Sequence, residues 1–137
     1  MHTGQLVQRY TQAQVTSADR HRLLLLVFEG GQTFLGRARE ALLAHDLPRF
    51  GEQLGRAQAI ISELLGTLDH TAGGPLARDL ARIYEFLLHH LTEANVSQSL
   101  KHVDEAIGVF GTIAGAFREI LEHPATDGRV LSTAPAA

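Results

Sequence analysis

The chain has 137 residues, 45% of them hydrophobic, with a formal net charge of −3 and no cysteine. That length suits one domain with a real core and is too short for two. The charge excludes a general basic surface for a phosphate backbone, and the lack of cysteine excludes disulfides, thiolate metal sites and cysteine catalysis.

The opening MHTGQLVQRY has no apolar core of signal-peptide length. Leu6, Val7 and Tyr10 are spaced for a short helix, which predicts an N-terminal cap segment over residues 1–16. The first long helix is expected from about Asp19 to Ala44, because Leu24, Val27, Gly31, Phe34, Ala38 and Leu42 recur at steps of three and four. It contains the longest apolar run, the six residues Leu23 to Phe28, against roughly 20 needed to cross a bilayer. No membrane insertion is therefore expected, and the protein is expected to remain in the cytosol.

Asp46 followed by Pro48 reads as an N-cap with proline in the first turn. The second helix follows through Leu47, Phe50, Leu54, Ala57, Ile61, Leu64 and Leu68. Gly73-Gly74-Pro75 stops one helix and starts another. The third runs through Leu76, Leu80, Ile83, Leu87, Leu91 and Ala94, and the fourth through Leu100, Val103, Ile107, Phe110, Ala114, Phe117 and Leu121. Pro124 ends it, and the small, polar, aperiodic stretch 124–137 predicts a disordered tail. The helices would each be about 30 to 39 Å long. Short links make sequential neighbours antiparallel. The expected fold is all-α, an antiparallel up-down-up-down four-helix bundle with a short N-terminal helical cap, forming one domain over residues 1–123.

A bundle helix needs one apolar stripe, and these helices carry more. In the first, Leu23 and Leu26 flank the stripe on one side, Leu25 and Phe28 on the other. In the third, Tyr84 and Leu88 lie outside the main stripe. In the fourth, Val109, Ile113, Ala116 and Ile120 form a second stripe, and Gly108, Gly111 and Gly115 form a third line. Each glycine costs about 1 kcal/mol relative to alanine inside a helix, so the line needs a reason, such as a helix packed very close to that backbone. A thicker core or a bundle dimer would account for the surplus. So would a groove that receives amphipathic helices from a partner. The candidate partner-binding residues are Tyr10, Leu25, Phe28, Tyr84, Leu88, Val109, Gly111, Ile113, Ala116 and Ile120.

No catalytic or cofactor signature stands beside this. The eight histidines invite a metal reading, with His89-His90 the densest cluster and Glu85 and His89 four residues apart. A di-metal bundle wants Glu-x-x-His units, and the chain has none; H-E-x-x-H, Walker A and G-x-S-x-G are also missing. The histidines are expected at or near the surface, and no metal, cofactor or enzymatic activity is expected.

Several blocks together resemble the flagellin export chaperones, the FliS family. YTQAQVTSADRHRLLLLVFEGGQTFLGRAREAL is similar to that family's opening of a tyrosine, V-x-T-A-S-P and a leucine-rich helix with L-Y-x-G. RAQAIISELLGTLDHTAGGPLARDLARIYEFLLHHLTEAN resembles its K-A-x-x-I-I-x-E-L, S-L-D, G-G and L-Y-x-Y…L-x-x-A-N blocks, through Ala57, Ile60, Ile61, Glu63, Leu64, Leu68, Asp69, Gly73, Gly74, Leu80, Tyr84, Leu91, Ala94 and Asn95. The resemblance spans about residues 10 to 122. The chain departs from the pattern at Thr16-Ser17-Ala18-Asp19, which lacks the proline and leaves Ser17 or Asp19 to cap the helix. It departs again at Val27-Phe28-Glu29-Gly30, and at Phe117 where a tryptophan is common.

The resemblance implies a cytosolic, all-helical, non-enzymatic chaperone. Its partner would be the disordered C-terminal segment of flagellin, which it would keep from polymerising early and help deliver to the export gate of the flagellar secretion apparatus. The N-terminal segment would cover part of the site when the client is absent. The residues themselves also allow a signalling or self-associating structural module with no flagellin client, and leave monomer and weak homodimer both open.

Overall fold

Few residues decide where each helix begins and ends. The computed structural model describes residues 17–122, and four helices fill nearly all of that span: α1 Ser17–Leu43, α2 Leu47–Gly66, α3 His70–Ser97 and α4 Leu100–Glu122. After α1 the chain turns at His45, whose φ of 58° is left-handed. The backbone N–H groups of Ala44, His45 and Asp46 donate to Glu40, Leu42 and Ala41 at 2.9–3.0 Å, occupying carbonyls that a helix end leaves unpaired. Asp46 then starts α2, its Oδ1 accepting from the Arg49 N–H at 3.2 Å with Pro48 in the first turn. This is the cap that the sequence predicts.

Asp69 repeats the device, accepting from Thr71 and Ala72 at 3.1 and 2.9 Å. The helical path breaks at Gly74, with φ 52° and ψ −130°, and resumes with Pro75. Only glycine adopts that conformation without strain, so the break expected at Gly73-Gly74-Pro75 is real and centres on Gly74. The last turn is shorter still. Gln98 is left-handed, the Ser99 N–H donates to the Ala94 carbonyl, and Ser99 Oγ accepts from the His102 N–H at 3.1 Å to cap α4.

Three short turns make the helices alternate in direction. α1 packs on α2 and α4, and α3 packs on the same two. The result is a four-helix bundle in which every helix lies beside its chain neighbours and α4 closes against α1. The predicted stripes supply most of the core, with Leu54, Ala57, Ile61, Leu87, Leu91, Ala94, Val103, Phe110 and Ala114 fully enclosed. Leu47 and Leu76 are exposed instead: Leu47 is the first residue of α2, and Leu76 follows directly on the break at Gly74-Pro75. Phe34 is half-buried, with the guanidinium groups of Arg37 and Arg56 6.0 and 5.8 Å from its ring centre.

Three side chains expected outside the core stripes lie inside the core. Phe28 is completely enclosed, its ring centre 5.4 Å from that of Phe110 and 4.2 Å from that of Phe117. Tyr84 and Ile113 are also buried. A helix wedged between two neighbours turns more than one stripe inward, and α1 meets both α2 and α4. Each such burial contributes roughly 1.5–3 kcal/mol.

The N-terminal helical cap, with Leu6, Val7 and Tyr10, and the tail over 124–137 lie outside the described residues. Among the described residues no helix is long and apolar enough to cross a membrane.

Candidate functional site

The two outward faces of α4 meet different neighbours. Asp104 accepts from Arg39 of α1 at 2.6 Å, and Arg118 lies 3.8 Å from Glu29 of α1. These contacts mark the α1 edge of α4, and Gly108, Gly111 and Gly115 fall in the same row by helical spacing. A methyl group built on Gly108 or Gly115 would meet nothing within 4 Å, and one on Gly111 would just reach Gln32 Nε2 at 4.0 Å. The glycine line therefore makes no close contact inside the bundle.

The other edge of α4 faces α3 across an apolar groove of about 380 Å³. Arg82, Ile83 and Phe86 of α3 form one wall, and Val109, Thr112 and Ile113 of α4 the other. The Thr112 hydroxyl donates to the Gly108 carbonyl at 3.0 Å, so its hydrogen-bonding capacity is largely met within its own helix. Arg82 leans toward Asp79 of its own helix at 3.7 Å. Phe86 stands at the rim, 48% exposed. Such an aromatic beside an apolar groove is a surface that water covers poorly.

The structure divides the ten sequence candidates. Val109 and Ile113 line the groove, and Ala116 and Ile120 continue their line along α4 at helical spacing. Leu25 and Leu88 are half-buried on other faces; the Leu88 carbonyl accepts from Gln58 of α2 at 3.4 Å, which sets that turn of α3 toward α2. Gly111 belongs to the α1 edge. Phe28 and Tyr84 are inside the core, where burial pushes the Tyr84 phenol well above its ordinary pKa. Tyr10 lies outside the described residues.

Ile83 and Phe86 are the apolar groove residues that the sequence reading missed, beside the polar Arg82 and Thr112. Ile83 fits the core stripe, but it lies on that stripe's edge and shows one side outward. The available signal for Phe86 was a large aromatic three residues after Ile83 on an otherwise polar face. The histidines also sort differently from their sequence clustering. His89 is exposed, whereas His90 is half-buried, with Nε2 2.8 Å from Glu105 of α4 and its ring stacked against Phe86 and His102.

The family described as Flagellar protein FliS matches residues 3–124 of the chain. The flagellar secretion chaperone FliSB of Pseudomonas aeruginosa is 38% identical over 109 residues, covering 77% of this chain and 86% of the relative. The flagellar secretion chaperone FliS of Salmonella typhimurium is 32% identical over 125 residues, covering 88% and 93%. That of Escherichia coli is 27% identical over 129 residues, covering 90% and 95%.

Proposed function

The chain belongs to the FliS family, and from that premise we propose that it is a flagellar secretion chaperone whose client is the disordered C-terminal segment of flagellin. The role is non-enzymatic and cytosolic. Binding keeps the segment from assembling early and presents the subunit to the flagellar secretion apparatus.

The observation that carries this reading is the groove between α3 and α4. Its walls are mostly apolar side chains on two packed helices, with Phe86 exposed and Ile83 and Val109 only partly covered by the folded bundle. A disordered segment that folds into an amphipathic helix can lay its apolar face there. The ordering cost of that segment keeps the complex reversible, as hand-over to a secretion apparatus requires. Ala116 and Ile120 extend the contact along α4, and the bare backbone at Gly108, Gly111 and Gly115 admits a second client helix at short range.

Calorimetric titration of the flagellin C-terminal segment into the full chain tests the reading. The expected result is one-to-one binding with a negative heat-capacity change, the mark of buried apolar surface. The absence of binding at about tens of micromolar contradicts it. Self-association with no client binding would favour a structural module instead.

A further inference from the structure

His90 near the end of α3 and His102 and Glu105 in the first turns of α4 come together across the tight turn at Gln98 and Ser99. Each offers one ligand atom, and these atoms all lie within 4.8 Å of one another. We propose that they form a binding site for a divalent transition-metal ion of the zinc type, which ties α3 to α4.

The donor set is two imidazole nitrogens and one carboxylate oxygen. That combination suits zinc and its neighbours rather than magnesium or calcium, which prefer all-oxygen shells. Bonds of about 2.0–2.2 Å in a tetrahedral shell place ligand atoms about 3.3 Å apart. The distances here bracket that value, from 2.8 Å between His90 Nε2 and Glu105 Oε1 to the 4.8 Å limit.

The surroundings prepare the ligands. His102 Nδ1 is 2.8 Å from Ser99 Oγ, which leaves Nε2 as the ring nitrogen able to coordinate. Such a partner on the far nitrogen fixes ring orientation in metal sites. The His90 ring is held between Phe86 and His102, with ring centres 4.8 and 4.3 Å away. Asp104, the neighbouring carboxylate, is engaged by Arg39 at 2.6 Å, so Glu105 is the carboxylate that turns to the histidines. His102 and Glu105 are three residues apart on one helix face. Three protein ligands leave a fourth position for water or an outside group.

Zinc chloride titrated calorimetrically into the untagged, chelator-stripped full chain tests the proposal. One equivalent should bind saturably, and the melting temperature should rise with zinc concentration because the ion binds only the folded form. His102→Gln, on a half-buried side chain, and Glu105→Gln, on an exposed one, should each weaken binding about tenfold or more with the helical circular dichroism retained. His89→Gln, one residue from His90 but outside the set, should change nothing. Cobalt(II) in place of zinc should give the strong visible absorption of a four-coordinate site and lose it in the same two variants. The proposal is overturned by absence of saturable binding up to about 100 μM, by binding that either substitution leaves intact, or by loss of binding in His89→Gln.

Discussion

The end of the Phe110 ring rests on the backbone of Gly31. A methyl group on Gly31 would lie 2.8 Å from two ring carbons of Phe110 and 3.2 Å from Ile60 Cγ2. α1 and α4 reach their packing distance because residue 31 has no side chain. Gly31→Ala should therefore destabilise the bundle by about 1–3 kcal/mol, the usual cost of overpacking. Gly108→Ala, with nothing within 4 Å, should have the opposite sign and stabilise by up to about 1 kcal/mol. Urea unfolding of both variants measures the pair, and equal effects would show that the Gly31 contact is not a constraint.

Gly111→Ala separates stability from binding. Its new methyl group would touch only the flexible end of Gln32 at 4.0 Å, so the melting temperature should rise. A client helix packed along the glycine row would meet that methyl group, so affinity for the flagellin segment should fall. A stabilised variant with unchanged affinity would mean that the row faces solvent in the complex as well.

How much of this was legible in the sequence depended on whether one chain neighbourhood carried the information. Asp46 and Gly74-Pro75 act within a few residues, and the cap and the break they make were readable; the Asp69 cap, which sets the turn between α2 and α3, was not picked out. Heptad spacing located the stripes, because a buried helix face repeats at three and four residues. It could not tell how many neighbours a helix would have. Phe28, Tyr84 and Ile113 looked surplus by the single-stripe rule and are core, since each helix is covered on two sides. The same limit hid Phe86, whose significance comes from Val109 and Ile113 across the groove. It also hid the meeting of His90 with His102 and Glu105, which needs the register between α3 and α4. The glycine row of α4 was visible, but the glycine whose absent side chain decides a packing distance is Gly31.

The His21 imidazole is held below its ordinary pKa, first by burial and then by the charge of Arg20. The fold thus favours its neutral form, and the unfolded chain takes up the proton first as pH falls through about 6.5. Its contribution is complete above that range and is lost on acidification. The melting temperature should fall between about pH 7.5 and about pH 5.5, and the fall should be smaller in His21→Gln. Parallel pH profiles for the two proteins would rule out His21 as a source of the dependence.

Residues 1–16 should act as a displaceable cover for the client surface, with Leu6, Val7 and Tyr10 as its apolar contacts. The four helices over residues 17–122 close a core among themselves, so deleting residues 1–16 should leave the helical circular dichroism and cooperative melting in place. Affinity for the flagellin segment should be unchanged or tighter. If the truncated chain fails to fold, the segment is part of the core.

The central claim is that the groove between α3 and α4 receives the client, and Val109→Asp tests it most directly. Val109 is half-buried on the groove wall, one side packed against the core, so the substitution places a charge where an apolar side chain of the client would sit. Calorimetric titration of the flagellin C-terminal segment should give an affinity at least about tenfold weaker than wild type, equivalent to about 1.4 kcal/mol or more, with the helical circular dichroism and cooperative melting retained. Wild-type affinity in a folded Val109→Asp protein would contradict the account and place the client elsewhere on the bundle.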